Sequence, residues 1–282
     1  MAQGETAKTD ILADFHIRQR ALIEQLKQSP VREVLGVINA AGSGGGTSRG
    51  EDFWTLRFTF ADWKFKNSEL QKRPLTVQKQ MSKDQLGAIM KTIKSYDIIE
   101  ANIRVLEDPS NKAQGLLLDI IGKNSSDADL NRVAQQLQEP VTFEDSQFGT
   151  FRLNRRINWY EVDTTWNSGD VRLNLALKDS EDPSGAISVA RSLWQSQDSW
   201  NQRIYEYAVA KLLSPKNASW LQEDESEVTP EQFRNKMKQE AITVYSNGTF
   251  EFWFKDGDLF WGHSIMVKGT LTEGPTRADI PG

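Results

Sequence analysis

The stretch AITVYSNGTFEFWFKD, residues 241–256, has apolar side chains at regular intervals on both sides of the pair Asn247-Gly248. Two β-rich runs separated by Asn-Gly are a strong short-range signal for a β-hairpin, and a two-residue loop of this composition forms a type I′ turn. The stretch therefore predicts two antiparallel strands joined by a tight turn.

The length of this turn determines which residues of the two strands lie opposite each other. With a two-residue loop, we expect Tyr245 to lie opposite Phe250 and Thr243 to lie opposite Phe252. A third run, HSIMVKGTLT at residues 263–272, alternates in the same way and predicts one further strand.

The chain upstream of the hairpin predicts the rest of a C-terminal domain. The runs FGTFRLNR, INWYEVDTTW and DVRLNLALKD alternate apolar and polar residues between turn signals, which is typical of an antiparallel meander. Helical patterns lie between this meander and the hairpin. We expect residues 143–273 to form an antiparallel sheet of about six strands with inserted helices, and residues 274–282 to form a frayed tail.

The N-terminal half predicts a second domain of different architecture. Residues 1–30 contain a helical pattern that stops at Pro30, and residues 31–122 are rich in strand patterns. Five strands with one helix before the fourth indicate a small curled sheet or an open barrel, and an oligonucleotide-binding-type barrel is one candidate. Residues 123–142 predict a hinge with a short helix. The fold class is therefore α+β with two domains.

Composition limits the classes of function. The chain has 282 residues, a formal net charge of -5 and no cysteine. The absence of cysteine excludes disulfides, thiolate zinc sites, iron–sulfur clusters and cysteine nucleophiles. An acidic protein has no overall basic field to attract nucleic acid or anionic lipid. Because no secretory signal or long apolar run is present, we expect a cytoplasmic protein that does not bind membranes.

The segment DGDLFWGH, residues 256–263, combines two carboxylates with one of only two histidines. Asp256, Asp258 and His263 are ligand types that zinc, manganese or magnesium accepts, so one hypothesis is a metal-assisted hydrolase with Glu251 as a possible base. Asp-Gly is also common in hairpin turns, and the same segment can simply form a corner of the sheet.

A basic region lies between residues 53 and 94, with nine lysines and arginines against three acidic residues. Interleaved aromatic rings and cations are typical of surfaces that bind single-stranded nucleic acid. The residues that would form such a surface are Trp54, Arg57, Lys64 and Lys66. Strand alternation explains the same pattern without a ligand, because it buries the rings and exposes the lysines.

The segment GSGGGTSRG, residues 42–50, is rich in glycine but matches neither the phosphate-loop nor the dinucleotide-binding pattern. A flexible hairpin loop explains its composition. We therefore expect no cofactor.

The C-terminal half resembles a bacterial family known as domain of unknown function 2262. The resemblance covers about residues 145–273 and rests on four separated stretches: FGTFRLNRRINWYEVDTTWNSGDVRLNL, ARSLWQSQDSWNQRIYEYAVAKLL, NASWLQEDESEVTPEQFRNKM and SNGTFEFWFKDGDLFWGHSIMVKGTL. It implies a recurrent module and no particular reaction or ligand. The N-terminal half resembles no family that we recognise.

These observations favour a binding protein over an enzyme. Aromatic residues at strand ends often serve as interface anchors, and few polar catalytic groups accompany them. We expect the chain to bind another protein through the aromatic end of the C-terminal sheet. The residues of this predicted surface are Trp253, Asp256, Asp258, Trp261 and His263.

Overall fold

The computed structural model describes residues 17–48, 51–107, 113–123, 126–177 and 182–281. The chain divides into two compact units, Met1–Glu139 and Pro140–Gly282. Both units combine helices with an antiparallel-rich sheet, which confirms the predicted two-domain α+β class.

The first unit is a closed five-stranded barrel. Its elements are α1 (residues 17–28), β1 (Val31–Gly46), β2 (Trp54–Phe65), β3 (Leu75–Met81), α2 (Lys83–Thr92), β4 (Ile98–Glu107), β5 (Ala113–Lys123) and α3 (Ala128–Gln138). The strand order is β1-β2-β3-β5-β4, and only the β3–β5 pair is parallel. One helix lies between β3 and β4, so the sequence-based expectation of a small barrel is confirmed. The part of the predicted first helix at residues 1–16 lies outside the described residues.

The short helix α3 packs on the barrel of the first unit. Asp127 begins it, because its Oδ1 accepts hydrogen bonds from the backbone N–H groups of Asp129 and Leu130. The buried side chains of Leu130 and Val133 share a core cluster with Val37 of β1. The helix that we expected within a hinge therefore belongs to the first unit.

Part of the glycine-rich segment is strand and not loop. Gly42–Gly46 form the end of β1, and at Gly45 a Cβ atom would lie 2.6 Å from the side chain of Leu86 on α2. A larger residue at Gly45 would therefore push the helix away from the strand. The expectation of a flexible loop was wrong for these residues, while residues 49–50 lie outside the described part.

The second unit is an eight-stranded sheet with three helices. Its elements are β6 (Thr142–Asp145), β7 (Gly149–Asn154), β8 (Trp159–Trp166), β9 (Gly169–Ala176), α4 (Ser184–Trp194), α5 (Gln197–Ser219), α6 (Pro230–Lys236), β10 (Lys238–Tyr245), β11 (Thr249–Lys255), β12 (Ile265–Thr270) and β13 (Gly274–Asp279). The strand order is β13-β12-β11-β10-β9-β8-β7-β6. The β9–β10 pair is parallel, because the three helices form the crossover between these strands.

The sheet has two strands more than we expected, β6 and β13. The residues that we expected to form a frayed tail from Gly274 onward instead form β13, which pairs with β12 at the edge of the sheet. Its sequence GPTRAD has low β-propensity, so the pairing partner and not the local sequence determines its conformation.

Helices α4 to α6 cover one face of this sheet. Phe250, Phe252 and Phe254 of β11 are fully buried in a core that also contains residues of α4 and α5, and Phe250 makes an edge-to-face contact with Trp200 of α5. Side chains alternate along a strand. The neighbouring residues of β11, including Trp253, therefore point to the opposite face, which we call the outer face.

The hairpin between β10 and β11 has a three-residue loop. Gly248 has φ +84°, Asn247 is not among the residues with positive φ, and the N–H of Gly248 donates to the carbonyl oxygen of Tyr245. This geometry fits a type I turn followed by a left-handed glycine, whereas type I′ needs positive φ at both central residues. The side chain of Asn247 accepts a hydrogen bond from Thr249 N instead.

The longer loop shifts the strand register by one residue from our prediction. Val244 lies opposite Phe250, and Ile242 lies opposite Phe252. A shift of one residue moves each side chain of a strand to the other face. Thr243 and its neighbours Ala241 and Tyr245 therefore lie on the outer face, away from the phenylalanine core. An irregularity between Gln239 and Ala241 ends this alternation and places Gln239 opposite Phe254.

Candidate functional site

The segment DGDLFWGH forms a corner of the sheet that Asp256 holds together. Its Oδ2 atom accepts hydrogen bonds from Phe260 N at 2.7 Å and from Gly262 N at 3.1 Å, and the side chain is only 6% exposed. Gly257 is required next to it, because φ is +57° and a Cβ atom would lie 2.4 Å from the carbonyl oxygen of Lys236. Asp256 therefore has a structural role in the turn.

The aromatic residues of the same segment pack against Trp220 at the end of helix α5, in tilted and edge-to-face contacts. Trp261 lies 4.8 Å and His263 lies 5.6 Å from Trp220, measured between ring centroids. The Trp261 side chain is 57% exposed, while the adjacent Phe260 is buried. These rings form an aromatic surface patch on Trp220, which itself packs against the helix-covered core.

The structure does not bring the predicted metal ligands together. Among the residues that the structure describes, no group of three or more histidines, aspartates or glutamates is placed to hold a metal ion. Asp256 already accepts two backbone hydrogen bonds, and Glu251, the predicted base, instead pairs with Lys268 at 3.1 Å on the outer face. The geometry therefore offers no ligand set at this corner.

The predicted nucleic-acid surface of the first unit is engaged in contacts within that unit. Lys64 pairs with Asp127, and Lys66 pairs with Glu33 and, at 3.2 Å, with Glu100.

The other two residues of that surface also have partners in the first unit. The Nη2 atom of Arg57 donates to Gln19 Oε1 of α1 at 3.2 Å, and the ring of Trp54 lies 5.6 Å from the ammonium of Lys83. Helix α1 lies beside β2 and β3, with a cavity of about 610 Å³ between them. Binding of nucleic acid to this surface would have to displace these contacts, and it stays a prediction.

The outer face of the C-terminal sheet contains a groove of about 840 Å³ across β8 to β11. Six of the residues that line it are Trp159, Asp163, Arg172, Asn174, Thr243 and Trp253. Of the five residues in the predicted partner surface, only Trp253 contributes to the groove. The others lie at the corner and in the aromatic patch described above.

Asn174 and Thr243 form the floor of this groove. They are direct neighbours on the parallel strands β9 and β10, and Asn174 Nδ2 donates to Thr243 Oγ1 at 3.2 Å. Their side chains are 6% and 0% exposed. This hydrogen bond orients the amide so that Asn174 Oδ1 is left as a buried acceptor without a partner in the described chain. A buried acceptor without a hydrogen bond lowers stability by about 1–3 kcal/mol.

The rim of the groove is acidic. Asp163 binds Arg172 through two hydrogen bonds of 2.9 and 3.4 Å, and this pairing raises the pKa of Arg172. Asp170 and Glu240 also line the groove, so three carboxylates stand against one guanidinium. The side chain of Asp170 forms no hydrogen bond or ion pair with another described residue. Glu240 lies 3.6 Å from Lys255 and also interacts at longer range with the charge of Arg172. The rim is therefore suited to a cationic or hydrogen-bond-donating ligand.

Next to the groove lies a polar cluster on β10 to β12. Lys268 Nζ is 3.1 Å from Glu251 Oε1 and 5.8 Å from the ring centroid of Tyr245. Burial, followed by the nearby charge of Glu251, raises the pKa of Tyr245 to about 12. Tyr245 is therefore a neutral phenol at physiological pH and not an activated base.

Sequence reasoning missed the floor of the groove for two reasons. The predicted hairpin register placed Thr243 opposite a core phenylalanine, and Asn174 reads as an ordinary exposed position in an alternating strand. The useful signal was the parallel pairing of β9 and β10, which brings these two polar residues together over a long sequence separation. Local patterns do not contain this information.

The fold and the groove define a two-unit α+β protein with a small barrel and a helix-backed sheet. Residues 145–280 match the family described as "Uncharacterized protein conserved in bacteria (DUF2262)", which confirms the resemblance of the C-terminal half. Residues 19–137 match the family described as "Domain of unknown function (DUF7021)", so the N-terminal half, which we did not recognise from its sequence, is also similar to a family. No curated protein is significantly similar to the chain. None of the helices in the described ranges has the length and apolar character needed to cross a membrane.

Proposed function

We propose that the chain is a non-enzymatic binding protein whose ligand site is the outer-face groove of the C-terminal sheet. The observation that carries this proposal is the buried and unpartnered Oδ1 atom of Asn174 at the groove floor. A ligand with an N–H or O–H donor would supply the missing hydrogen bond. The cost of leaving this acceptor unpaired is then offset in the bound state.

The shape and lining of the groove support this role. Its volume of about 840 Å³ is within the usual range of small-ligand sites, roughly 300–1,000 Å³. Trp159 and Trp253 are half-buried and supply rigid apolar surface, which is typical of residues that dominate binding energy. Polar groups at the floor and apolar rings at the sides are the usual arrangement of a recognition site.

The lining favours recognition over catalysis. The described residues that line the groove include no histidine, serine or lysine. A covalent mechanism needs a nucleophile within hydrogen-bond reach of a base. The hydroxyl groups of Thr164, Thr165 and Thr243 line the groove, but none of them forms a hydrogen bond with a carboxylate of the lining, and the hydroxyl of Thr243 is bonded to Asn174. The groove therefore offers acceptors and ring faces, which bind and orient a ligand.

Binding to the groove can be tested with small probe molecules that differ in charge, so the natural ligand need not be known. Indole N–H signals of the ¹⁵N-labelled full chain are followed by NMR, with Trp159→Phe and Trp253→Phe to assign the groove signals. Acetamide, methylguanidinium, acetate and glucose are titrated separately. We expect at least one probe to shift the signals of Trp159 and Trp253 and to leave the signal of Trp261 in place.

Two variants make this experiment specific for the groove floor. In Asn174→Leu, which removes the free acceptor at similar volume, the probe-induced shifts should be lost. Trp261→Leu changes an exposed ring in the aromatic patch and should leave them unchanged. If no probe moves the groove signals, or if probes move only Trp261, the groove is not the binding site.

A further inference from the structure

We propose that the groove binds an extended basic peptide of a partner protein and that an arginine side chain of this peptide reaches Asn174. The inference rests on the binding function proposed above and adds the chemical class of the ligand. Three independent properties of the groove support it: its charge, its hydrogen-bonding capacity and its length.

The charge of the groove favours a cation. Its lining contains the carboxylates of Asp163, Asp170 and Glu240 and, as the one cation among the described residues, the guanidinium of Arg172. Asp163 binds Arg172 through two hydrogen bonds, while Glu240 interacts with Arg172 only at longer range and with Lys255 at 3.6 Å. The side chain of Asp170 has no such partner, so the lining keeps an excess of negative charge. An anionic ligand such as a phosphate would be repelled, whereas a cation would be attracted.

The hydrogen-bonding groups require a ligand that donates. Asn174 Oδ1 and the carboxylates accept hydrogen bonds and cannot donate them. A guanidinium carries five N–H donors and no acceptor, so it leaves none of its own groups unsatisfied in an acceptor-rich site. Its planar face also stacks on indole rings, and Trp159 and Trp253 are available along the groove.

The length of the groove favours a chain over a single small cation. Trp159 lies on β8 and Trp253 on β11, three strand spacings apart, and Trp253 is in line with Asp163, four residues further along β8 than Trp159. The two rings are therefore separated diagonally by about 20 Å. An extended peptide covers this distance with about six residues. The same peptide could then contact both indole rings while one side chain reaches the floor.

The experiment compares peptides that differ in charge and little else. A blocked hexapeptide with two arginines is titrated into the full chain, beside its twin with both arginines replaced by citrulline and beside maltotetraose. Indole signals of Trp159 and Trp253 report binding. We expect the arginine peptide to bind at least about 10-fold more tightly than the citrulline twin, because hydrogen bonds that involve a charged group are stronger than those between neutral groups. Its affinity should fall as salt is raised.

Matched variants locate the interaction. Asp170→Asn removes one rim charge at constant shape and should weaken the arginine peptide about 2- to 5-fold, the usual size for an exposed ion pair. Trp253→Leu removes one ring face and should weaken binding by a similar factor. Trp261→Leu, the control outside the groove, should have no effect.

The outcomes separate this inference from the binding function itself. Equal affinity for the arginine and citrulline peptides would overturn the inference that charge is recognised, while the groove would remain a site. Binding of maltotetraose without binding of the arginine peptide would overturn it in favour of a saccharide. If neither the peptides nor the saccharide shifts the indole signals of Trp159 and Trp253, and the four small probes do not shift them either, the proposed binding function is wrong as well.

Discussion

Asn174 on β9 and Thr243 on β10 form a buried hydrogen bond of 3.2 Å across the parallel pair of the C-terminal sheet. The bond satisfies Asn174 Nδ2 and leaves Asn174 Oδ1 without a partner in the described residues. A buried polar pair that is only half satisfied contributes less to stability than two apolar side chains of the same shape. The predictions below start from this relationship.

Replacing the pair separates a role in binding from a role in folding. Thr243→Val removes the acceptor of Asn174 Nδ2, so we expect a loss of about 1–3 kcal/mol in the free energy of unfolding. The double variant Asn174→Leu/Thr243→Val replaces both polar partners and should be near neutral or more stable than the wild type. Urea unfolding, followed at signals of the C-terminal unit, measures both. If the free energy of unfolding falls as much in the double variant as in Thr243→Val, the hydrogen-bonded pair contributes to stability and not to binding alone.

Asp256→Ala is expected to destabilise the C-terminal unit without changing the groove. The substitution leaves Phe260 N and Gly262 N without their acceptor. Phe260 is buried, and an unpaired buried donor costs about 1–3 kcal/mol, whereas the exposed Gly262 can bond to water instead. Asp258→Asn is the control, because Asp258 is exposed and has φ +68°, a backbone conformation that asparagine also tolerates, so this change should cost little. Thermal unfolding compares the two variants. Equal stability of Asp256→Ala and wild type would contradict the structural role.

Divalent metals should not stabilise the chain through the DGDLFWGH corner. A metal that binds only the folded state raises the melting temperature with concentration. We expect zinc, manganese, magnesium and calcium to have the same effect on wild type and on His263→Ala, because Asp256 is committed to backbone donors. A metal-dependent rise that His263→Ala abolishes would restore the hydrolase hypothesis.

The buried Lys216 predicts a specific loss of stability in acid. Its Nζ atom is 2.7 Å from Glu225 Oε2 and 2.8 Å from the carbonyl oxygen of Trp220. The hydrogen bond from Lys216 lowers the pKa of Glu225. A carboxyl group whose pKa is lowered in the folded state stabilises the fold fully at pH values above its ordinary pKa of 4.5. This stabilisation is lost as the pH falls through the pKa of the folded state.

Comparison of wild type with Glu225→Gln tests this pH dependence. Between pH 6 and pH 3, the melting temperature of wild type should fall by more than that of Glu225→Gln, because the variant has no carboxylate to protonate. Glu223→Gln, in the same acidic run, is the matched control and should behave as wild type. Parallel curves for wild type and Glu225→Gln would show that the pair does not contribute.

Much of the fold could be predicted because strand alternation and helix caps are local. The hairpin around Asn247 is an example. Another is helix α6, which begins at a capping box of Thr229 and Gln232, a pattern that can be read directly from the sequence. Strand β13 could not be predicted, because Gly274 and Pro275 argue against a strand and only pairing with β12 forms one.

The groove could not be predicted, because it depends on details that local patterns leave open. Asn-Gly occurs in both two- and three-residue hairpins, and only the dihedral angles at Asn247 and Gly248 decide between them. That choice determines whether Thr243 faces the core or the groove. Trp253 lines the groove, whereas Asp256 and Trp261, which we predicted to act with it, lie elsewhere in the second unit.

The most direct test of the binding site is a crystal structure of the full chain grown with methylguanidinium. The account predicts the cation between the rim carboxylates, with an N–H donor about 2.7–3.2 Å from Asn174 Oδ1. A structure in which Asn174 Oδ1 bonds to another side chain of the protein, and in which the cation lies outside the groove, would contradict it.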